Sequence, residues 1–141
     1  MGGPEVNYLL DTSAWLRGVN QEYTVPSATL SLLRKRDELF GLAAISLWEV
    51  GKKVQSGKLP LPKDLPAWFS HALAPNIFLI PLTPEIVADA MRLPDFPNHD
   101  PADELIVATA RVHRLTLLTS DTKLKNYRHA RIHYFKPVEL K

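Results

Sequence analysis

The sequence predicts an α/β fold in which a central parallel sheet is flanked by helices. Short apolar runs alternate with helical patterns along all 141 residues, and the connections between runs are long enough for crossover helices. Such connections favour right-handed crossovers and parallel strands. No repeat or internal boundary divides the chain, so we expect a single α/β domain over residues 1–141.

Five apolar runs are the predicted strands. The first two are short apolar runs, which favour buried strands. Pro81 favours an edge position for the third. In chain order the runs are "VNYLL", "FGLAAIS", "IFLIPL", "LTLLTSD" and "RIHYF".

Polar residues at segment starts predict the first three helices. Thr12 or Ser13 is expected to cap a helix that runs to about Val19, and Ser27 is expected to cap "ATLSLLRKRDE". Ser46 is expected to open "LWEVGKKVQSGK", which the glycine and proline after it end.

Four further helices are predicted in the second half. "AWFSHAL" follows a proline-rich turn, and Thr83-Pro84-Glu85 begins a helix that runs to about Leu93. Asp100-Pro101 opens "ADELIVATARVHR", and "TKLKNYR" is expected to be a short last helix.

Composition excludes several classes of protein. Hydrophobic residues make up 45% and charged residues 23%, as in soluble globular proteins. The absence of cysteine excludes disulfides and zinc–thiolate sites. No signal peptide or bilayer-spanning run is visible, so we expect a cytoplasmic protein without a membrane partner. A net charge of +2 permits a nucleic-acid partner without requiring one.

Acidic residues follow strands or begin helices at several distant points. Asp11 and Asp121 follow the first and fourth strands, Glu49 lies in the first turn after the second strand, and Asp100 and Asp103 begin a later helix. In a parallel sheet these ends share one edge, where ligands bind. The acids are therefore expected to converge.

Helix capping is the simpler explanation for some of these acids. Ser46 and Glu49 have the spacing of a capping box, and helix starts favour carboxylates. For Asp100, which precedes a proline, a cap is the preferred interpretation. Capping does not require Asp11 and Asp121 as well.

A group of carboxylates is stable only with compensating positive charge. No lysine or arginine occupies a matching strand end, so a divalent cation is the expected partner. An all-oxygen site suits Mg²⁺ or Mn²⁺, which also bind phosphate oxygens. Such a site indicates phosphodiester hydrolysis.

Four stretches follow one another along the chain: "YLLDTSAWL", "AAISLWEVGKKVQSGKL", "HDPADELIVATA" and "LTLLTSD". In this order they resemble PIN-domain proteins, and more closely VapC-like toxins of type II toxin–antitoxin pairs. The resemblance covers nearly the whole chain. It implies a small α/β nuclease with a Mg²⁺ or Mn²⁺ pocket that cleaves RNA, a homodimer, and a VapB-like antitoxin that blocks the pocket.

The resemblance assigns the metal-binding and catalytic roles to four acids: Asp11, Glu49, Asp103 and Asp121. It implies that Thr12 and Thr119 orient carboxylates or waters. The chain departs from the family at Glu104 and Ser120, where relatives often carry arginine.

Other polar and aromatic residues have more ordinary explanations. Lys52 and Lys53 lie on the same helical side as Glu49, where phosphate contact and simple solvation are equally favoured. The tryptophans are expected in core or dimer packing, and two histidines in structural or surface positions. These residues are Trp15, Trp48, Trp68, His99 and His113; weaker phosphate candidates are Arg17, Lys123, Lys125 and Arg128.

Two alternative functions remain open. A non-catalytic RNA- or protein-binding module of the same fold would keep the acids only as caps. A phosphotransfer receiver would need paired acids near the first strand and a lysine at a late strand end. Asp11 stands alone and "LTLLTSD" carries no lysine, which argues against the receiver. Asp11, Glu49 and Asp103 are all present, which favours the metal-dependent endoribonuclease over the binding module.

Overall fold

A computed structural model describes residues 5–73 and 75–139, so the ends of the predicted domain at residues 1–4 and 140–141 lie outside it. Its five-stranded sheet has the order β3-β2-β1-β4-β5, with every neighbouring pair parallel. The strands are β1 (Val6–Leu10), β2 (Leu39–Ala43), β3 (Ile77–Ile80), β4 (Thr116–Thr119) and β5 (Arg131–Tyr134). The predicted α/β fold and the edge position of β3 are confirmed.

Helices connect the strands and cover the sheet. They are α1 (Thr12–Asn20), α2 (Ser27–Leu33), α3 (Ile45–Gln55), α4 (Leu65–Ala72), α5 (Pro84–Ala90) and α6 (Pro101–His113), with a 3-10 turn at Glu22–Thr24. Among the described residues, no helix is both long and apolar enough to cross a membrane.

The sequence assigned several helix caps wrongly. Asp11 caps α1, because its carboxylate accepts a hydrogen bond from the Ala14 amide, and neither Thr12 nor Ser13 does so. Ser46 lies inside α3 instead of capping it, and its hydroxyl contacts Thr12. The predicted capping box is therefore absent.

Three predicted helical segments are shorter in the structure or absent. The helix from Ser27 stops at Leu33, because residues 34–37 are exposed and offer no apolar face to the sheet. The helix from Thr83 stops at Ala90, since Pro94 disfavours helical backbone at the residue before it. Residues 122–126 form turns, and the Asp121 carboxylate accepts a hydrogen bond from the Lys123 amide there.

Apolar residues are buried on both faces of the sheet. Neighbouring residues of a strand point to opposite faces, and Leu9 and Leu10 accordingly belong to different core clusters. Trp15 and Trp68 are buried in the cluster around Leu10, as predicted. Trp48 is 59% exposed, so it does not belong to the core.

The strand order determines where a site can form. From β1 the chain builds β2 and β3 on one side of the sheet and β4 and β5 on the other. Ligands bind at such a switch point, outside the carboxyl ends of the strands. Asp11 follows β1 and Asp121 follows β4 closely, so both acids lie at this switch point.

Candidate metal centre

Asp11 is a nearly buried carboxylate at the carboxyl end of β1. Its Oδ1 accepts hydrogen bonds from the Ala14 amide at 2.7 Å and the Ser13 hydroxyl at 3.0 Å, while Thr119 donates to Oδ2. Burial raises the pKa of Asp11 to about 6, although these hydrogen bonds favour the charged form. Asp11 thus combines capping with a fixed orientation at the switch point.

Glu49 is half-buried on α3 and is oriented by a residue of α1. The Thr12 hydroxyl donates a hydrogen bond to Glu49 Oε1, and the same hydroxyl lies 2.9 Å from Ser46 Oγ. Burial raises the pKa of Glu49, and the charge of Asp100 adds to the effect, while Lys53 opposes it. The expected orienting role of Thr12 therefore has a structural basis.

Asp103 has the most perturbed carboxylate of the cluster. Its pKa is raised to about 7, first by burial and then by the charges of four neighbouring acids, which in decreasing order of effect are Asp100, Glu49, Asp121 and Asp11. Each of these four acids therefore lies close enough to influence Asp103. The acids predicted from distant parts of the sequence do converge.

Asp100 serves as a cap and also belongs to the acidic cluster. Its Oδ1 accepts hydrogen bonds from the amides of Ala102 and Asp103, which confirms the predicted cap. Yet Glu49, Asp100 and Asp103 each offer a carboxylate oxygen within 4.8 Å of the others. The sequence interpretation of Asp100 as chiefly a cap underestimated this proximity.

Asp121 is held at the rim of the cluster by β4. Its amide donates to the Thr119 hydroxyl at 3.0 Å, so Thr119 connects Asp121 to Asp11. The Asp121 charge contributes to the raised pKa of both Asp11 and Asp103. Thr119 therefore contacts two of the predicted site residues.

Two residues that the sequence interpretation did not select also support the cluster. Asn98 donates to Asp103 Oδ2 at 3.2 Å and accepts from the Asp100 amide at 2.9 Å. Ser13 donates to Asp11 and lies 3.1 Å from the Ser120 hydroxyl. The polar run "PNHD" was the available signal for Asn98.

The remaining candidates are Lys52 and Lys53 on α3, two histidines, and Glu104 on α6. Lys53 influences the Glu49 carboxylate electrostatically, whereas Lys52 bonds Gln55 at 2.8 Å and lies over the Trp48 ring. His99 and His113 are exposed, which fits their predicted surface positions. Glu104 is absent from the group of mutually close acids.

The donor set fits a hard divalent cation. The acidic side chains that converge here offer carboxylate oxygens, and burial among like charges raises the pKa values of Asp11, Glu49 and Asp103. Mg²⁺ and Mn²⁺ prefer such oxygen ligands, and either ion would offset the clustered negative charge.

A protein-family model matches most of the chain. The family model for the PIN domain matches residues 8–130, which include every acid of the cluster. The chain belongs to the PIN-domain family.

A curated relative gives a closer relationship within that family. Ribonuclease VapC22 of Mycobacterium tuberculosis is 35% identical over 104 residues, which are 74% of this chain and 78% of that protein. The resemblance to VapC-like proteins is therefore confirmed.

Solved structures share the fold at low sequence identity. VapBC2 from Rickettsia felis, bound to a promoter DNA fragment, matches with a TM-score of 0.70 and 18% identity, over 92% of this chain and 98% of that one. DNA-bound VapBC from Salmonella typhimurium matches with a TM-score of 0.69 and 14% identity, over the same shares of the two chains.

Proposed function

We propose that this protein is a metal-dependent endoribonuclease and the toxin of a VapBC-type toxin–antitoxin pair. The observation that carries the proposal is the convergence of Glu49, Asp100 and Asp103, whose carboxylate oxygens lie within 4.8 Å of one another. The relationship to Ribonuclease VapC22 supports RNA as the substrate.

Mg²⁺ or Mn²⁺ is the proposed cofactor. Asp11, Glu49, Asp103 and Asp121 are the proposed ligands, and Asp100 joins them because of its position. When bound, the ion would neutralise phosphate charge and acidify the attacking water.

The chain's own residues supply orientation and electrostatic selectivity. Thr119 and Thr12 fix Asp11 and Glu49 through hydrogen bonds, so these carboxylates do not have to reorganise when a phosphodiester arrives. Asn98 does the same for Asp103. An acidic site without a cation would repel RNA, so phosphate binding at the cluster depends on metal binding.

The proposed protein partner is a VapB-like antitoxin. The VapBC structures from Rickettsia felis and Salmonella typhimurium share this fold, and both contain a toxin with its antitoxin. An antitoxin segment with a basic side chain would complement the acidic cluster and block it. A toxin of this kind acts in the cytoplasm, where it meets cellular RNA.

A homodimer is the proposed assembly. Five of the large exposed hydrophobic side chains belong to residues 78–91, on and after the edge strand β3: Phe78, Leu79, Leu82, Val87 and Met91. Exposed apolar side chains at and after a sheet edge are candidate contacts for a second copy of the chain. The exposed Trp48 on α3 is a further candidate contact.

The deciding experiment is cleavage of a mixed RNA pool by antitoxin-free protein with Mn²⁺ or Mg²⁺, and with EDTA. Wild type should cleave only with metal, and Asp103→Asn should lose cleavage. Glu104→Gln changes the neighbouring acid on α6, outside the acidic group, and should retain cleavage. No cleavage by folded wild type, with metal bound or not, would favour a non-catalytic binding module.

A further inference from the structure

A cleft lies at the opposite end of α6 from the acidic cluster. It has a volume of about 720 Å³ and is formed by α5, the end of α6 and residues 128–131. Since a helix rises about 1.5 Å per residue, Arg114 lies about 16 Å along the helix from Asp103. The cleft is therefore a separate feature of the molecule.

Among the residues that the structure describes, the basic side chains that line the cleft are arginines, and none is lysine. Five of the chain's eight arginines line it: Arg92, Arg111, Arg114, Arg128 and Arg131. Cations near the end of α6 are favoured by its dipole, and Arg131 donates to the Arg114 carbonyl there, but Arg92 and Arg128 belong to no helix. Charges needed only for solubility could equally be lysine, whereas the planar guanidinium matches phosphate oxygens in pairs.

Two of these arginines build the wall of the cleft. Arg111 Nε donates to Asp89 Oδ2 at 2.8 Å, and its Nη1 donates to the His129 carbonyl at 2.7 Å. Arg131 Nη1 donates to the Arg114 carbonyl at 3.1 Å. These contacts fix the surrounding backbone, and the ion pair with Arg111 neutralises the charge of Asp89.

The other three guanidinium groups are available to a ligand. Arg92, Arg114 and Arg128 are exposed, and within residues 5–73 and 75–139 no carboxylate lies within 4.0 Å of them. Glu85 is the second carboxylate of the lining and forms no ion pair there. The cleft therefore retains excess positive charge.

We propose that this cleft binds the sugar–phosphate backbone of RNA through Arg92, Arg114 and Arg128. The choice of RNA over an acidic peptide rests on the proposed function, because guanidinium groups pair with carboxylates as well as with phosphates. Backbone contacts of this kind position a nucleic acid without reading its sequence. The cleft would anchor the substrate at a distance from the bond that is cleaved.

Binding of a labelled single-stranded RNA to the full chain in EDTA tests the proposal, because cleavage is suppressed. The test variant is Arg92→Ala with Arg128→Ala. Arg36→Ala with Lys63→Ala removes the same charge from exposed positions elsewhere and is the matched control. Thermal unfolding of each variant checks that the fold is intact.

We expect the test variant to bind RNA about tenfold or more weakly, with the control close to wild type. Each lost phosphate contact lowers the slope of log affinity against log salt by about 0.7, so the slope should fall by about 1.4. Arg92→Lys with Arg128→Lys should keep the slope and lose part of the affinity, since the charge stays and the planar fork is lost.

Three results would overturn the proposal: unchanged RNA affinity and slope in the test variant, no RNA binding by wild type at low salt, or arginine-dependent binding of a polyglutamate peptide alone. The last would identify a protein-docking cleft. Failure of the proposed function is distinguishable, because arginine-dependent RNA binding without cleavage in Mn²⁺ or Mg²⁺ refutes the nuclease and retains the cleft.

Discussion

The buried hydroxyl of Thr119 donates a hydrogen bond to Asp11 Oδ2 and accepts one from the amide of Asp121. Asp11 directly follows β1 and Thr119 ends β4, and these strands are parallel neighbours in the sheet. One side chain thus joins the two strand-end acids of the cluster. Removing that hydroxyl affects both acids together.

Thr119→Val should lower the free energy of unfolding by about 1–3 kcal/mol, because a buried carboxylate and an amide each lose a partner. Metal affinity should fall by about 10–100-fold, as when other orienting groups are removed. Thr119→Ser keeps the hydroxyl and should retain most of the affinity. Chemical denaturation and a metal titration measure both effects. Equal metal binding by the valine and serine variants would show that Thr119 has no orienting role.

Asp100→Ser should separate the two roles of Asp100. Serine caps a helix about as well as aspartate, and the repulsion between Asp100 and its acidic neighbours is lost, so thermal stability in EDTA should equal or exceed that of wild type. The carboxylate near Glu49 and Asp103 is lost, so Mn²⁺ should bind more weakly in calorimetry. Asp64→Ser makes the same change at the cap of α4 and should leave Mn²⁺ affinity unchanged. Full Mn²⁺ affinity in Asp100→Ser would mean that Asp100 is a cap alone.

Without metal, the protein should become less stable as the pH rises from about 4 to about 8. The folded-state pKa values of Asp11, about 6, and Asp103, about 7, lie above the usual 3.8, so the native state binds more protons than the unfolded state over this interval. The stabilising protons are present at low pH and are lost as the pH passes these values.

Thermal unfolding in EDTA across this range measures the effect. Asp103→Asn cannot ionise, so its unfolding temperature should exceed that of wild type near pH 8 and approach it near pH 5. Saturating Mn²⁺ should reverse the trend for wild type, because ion binding favours the deprotonated carboxylates. A wild-type stability in EDTA that rises steadily to pH 8 would contradict the prediction.

Lys53→Ala should weaken metal-dependent RNA binding more than Lys52→Ala. Lys53 acts on the Glu49 carboxylate, whereas Lys52 is engaged by Gln55 and Trp48. RNA affinity with a metal that supports no cleavage, measured against salt, compares the two variants. Equal effects of the two substitutions would favour the alternative that both lysines are simply solvated surface residues.

Val87→Lys with Met91→Lys should convert the proposed dimer to a monomer, since it puts charge into the apolar segment 78–91. Tyr23→Lys with Val138→Lys alters two exposed apolar side chains elsewhere and should leave the dimer intact. Sedimentation velocity at several concentrations distinguishes the species. A wild type that stays monomeric at high concentration would rule out the dimer.

The sequence alone determined the class of fold and the convergence of the acids. Strand and helix periodicities are local properties, and a parallel sheet necessarily brings the carboxyl ends of its strands to one edge. Asp11, Glu49, Asp103 and Asp121 could therefore be selected before any coordinates existed. The resemblance to VapC-like proteins then specified the family.

Only the tertiary structure decided which polar groups pair. Ser46 lies inside α3 and accepts a hydrogen bond from Thr12, which is 34 residues away in the sequence, instead of acting as the predicted cap. Asp100 lies among the acids, and arginines from three separate segments line one cleft. These outcomes depend on side chains that are distant in the chain and adjacent in space, so no local pattern contains them.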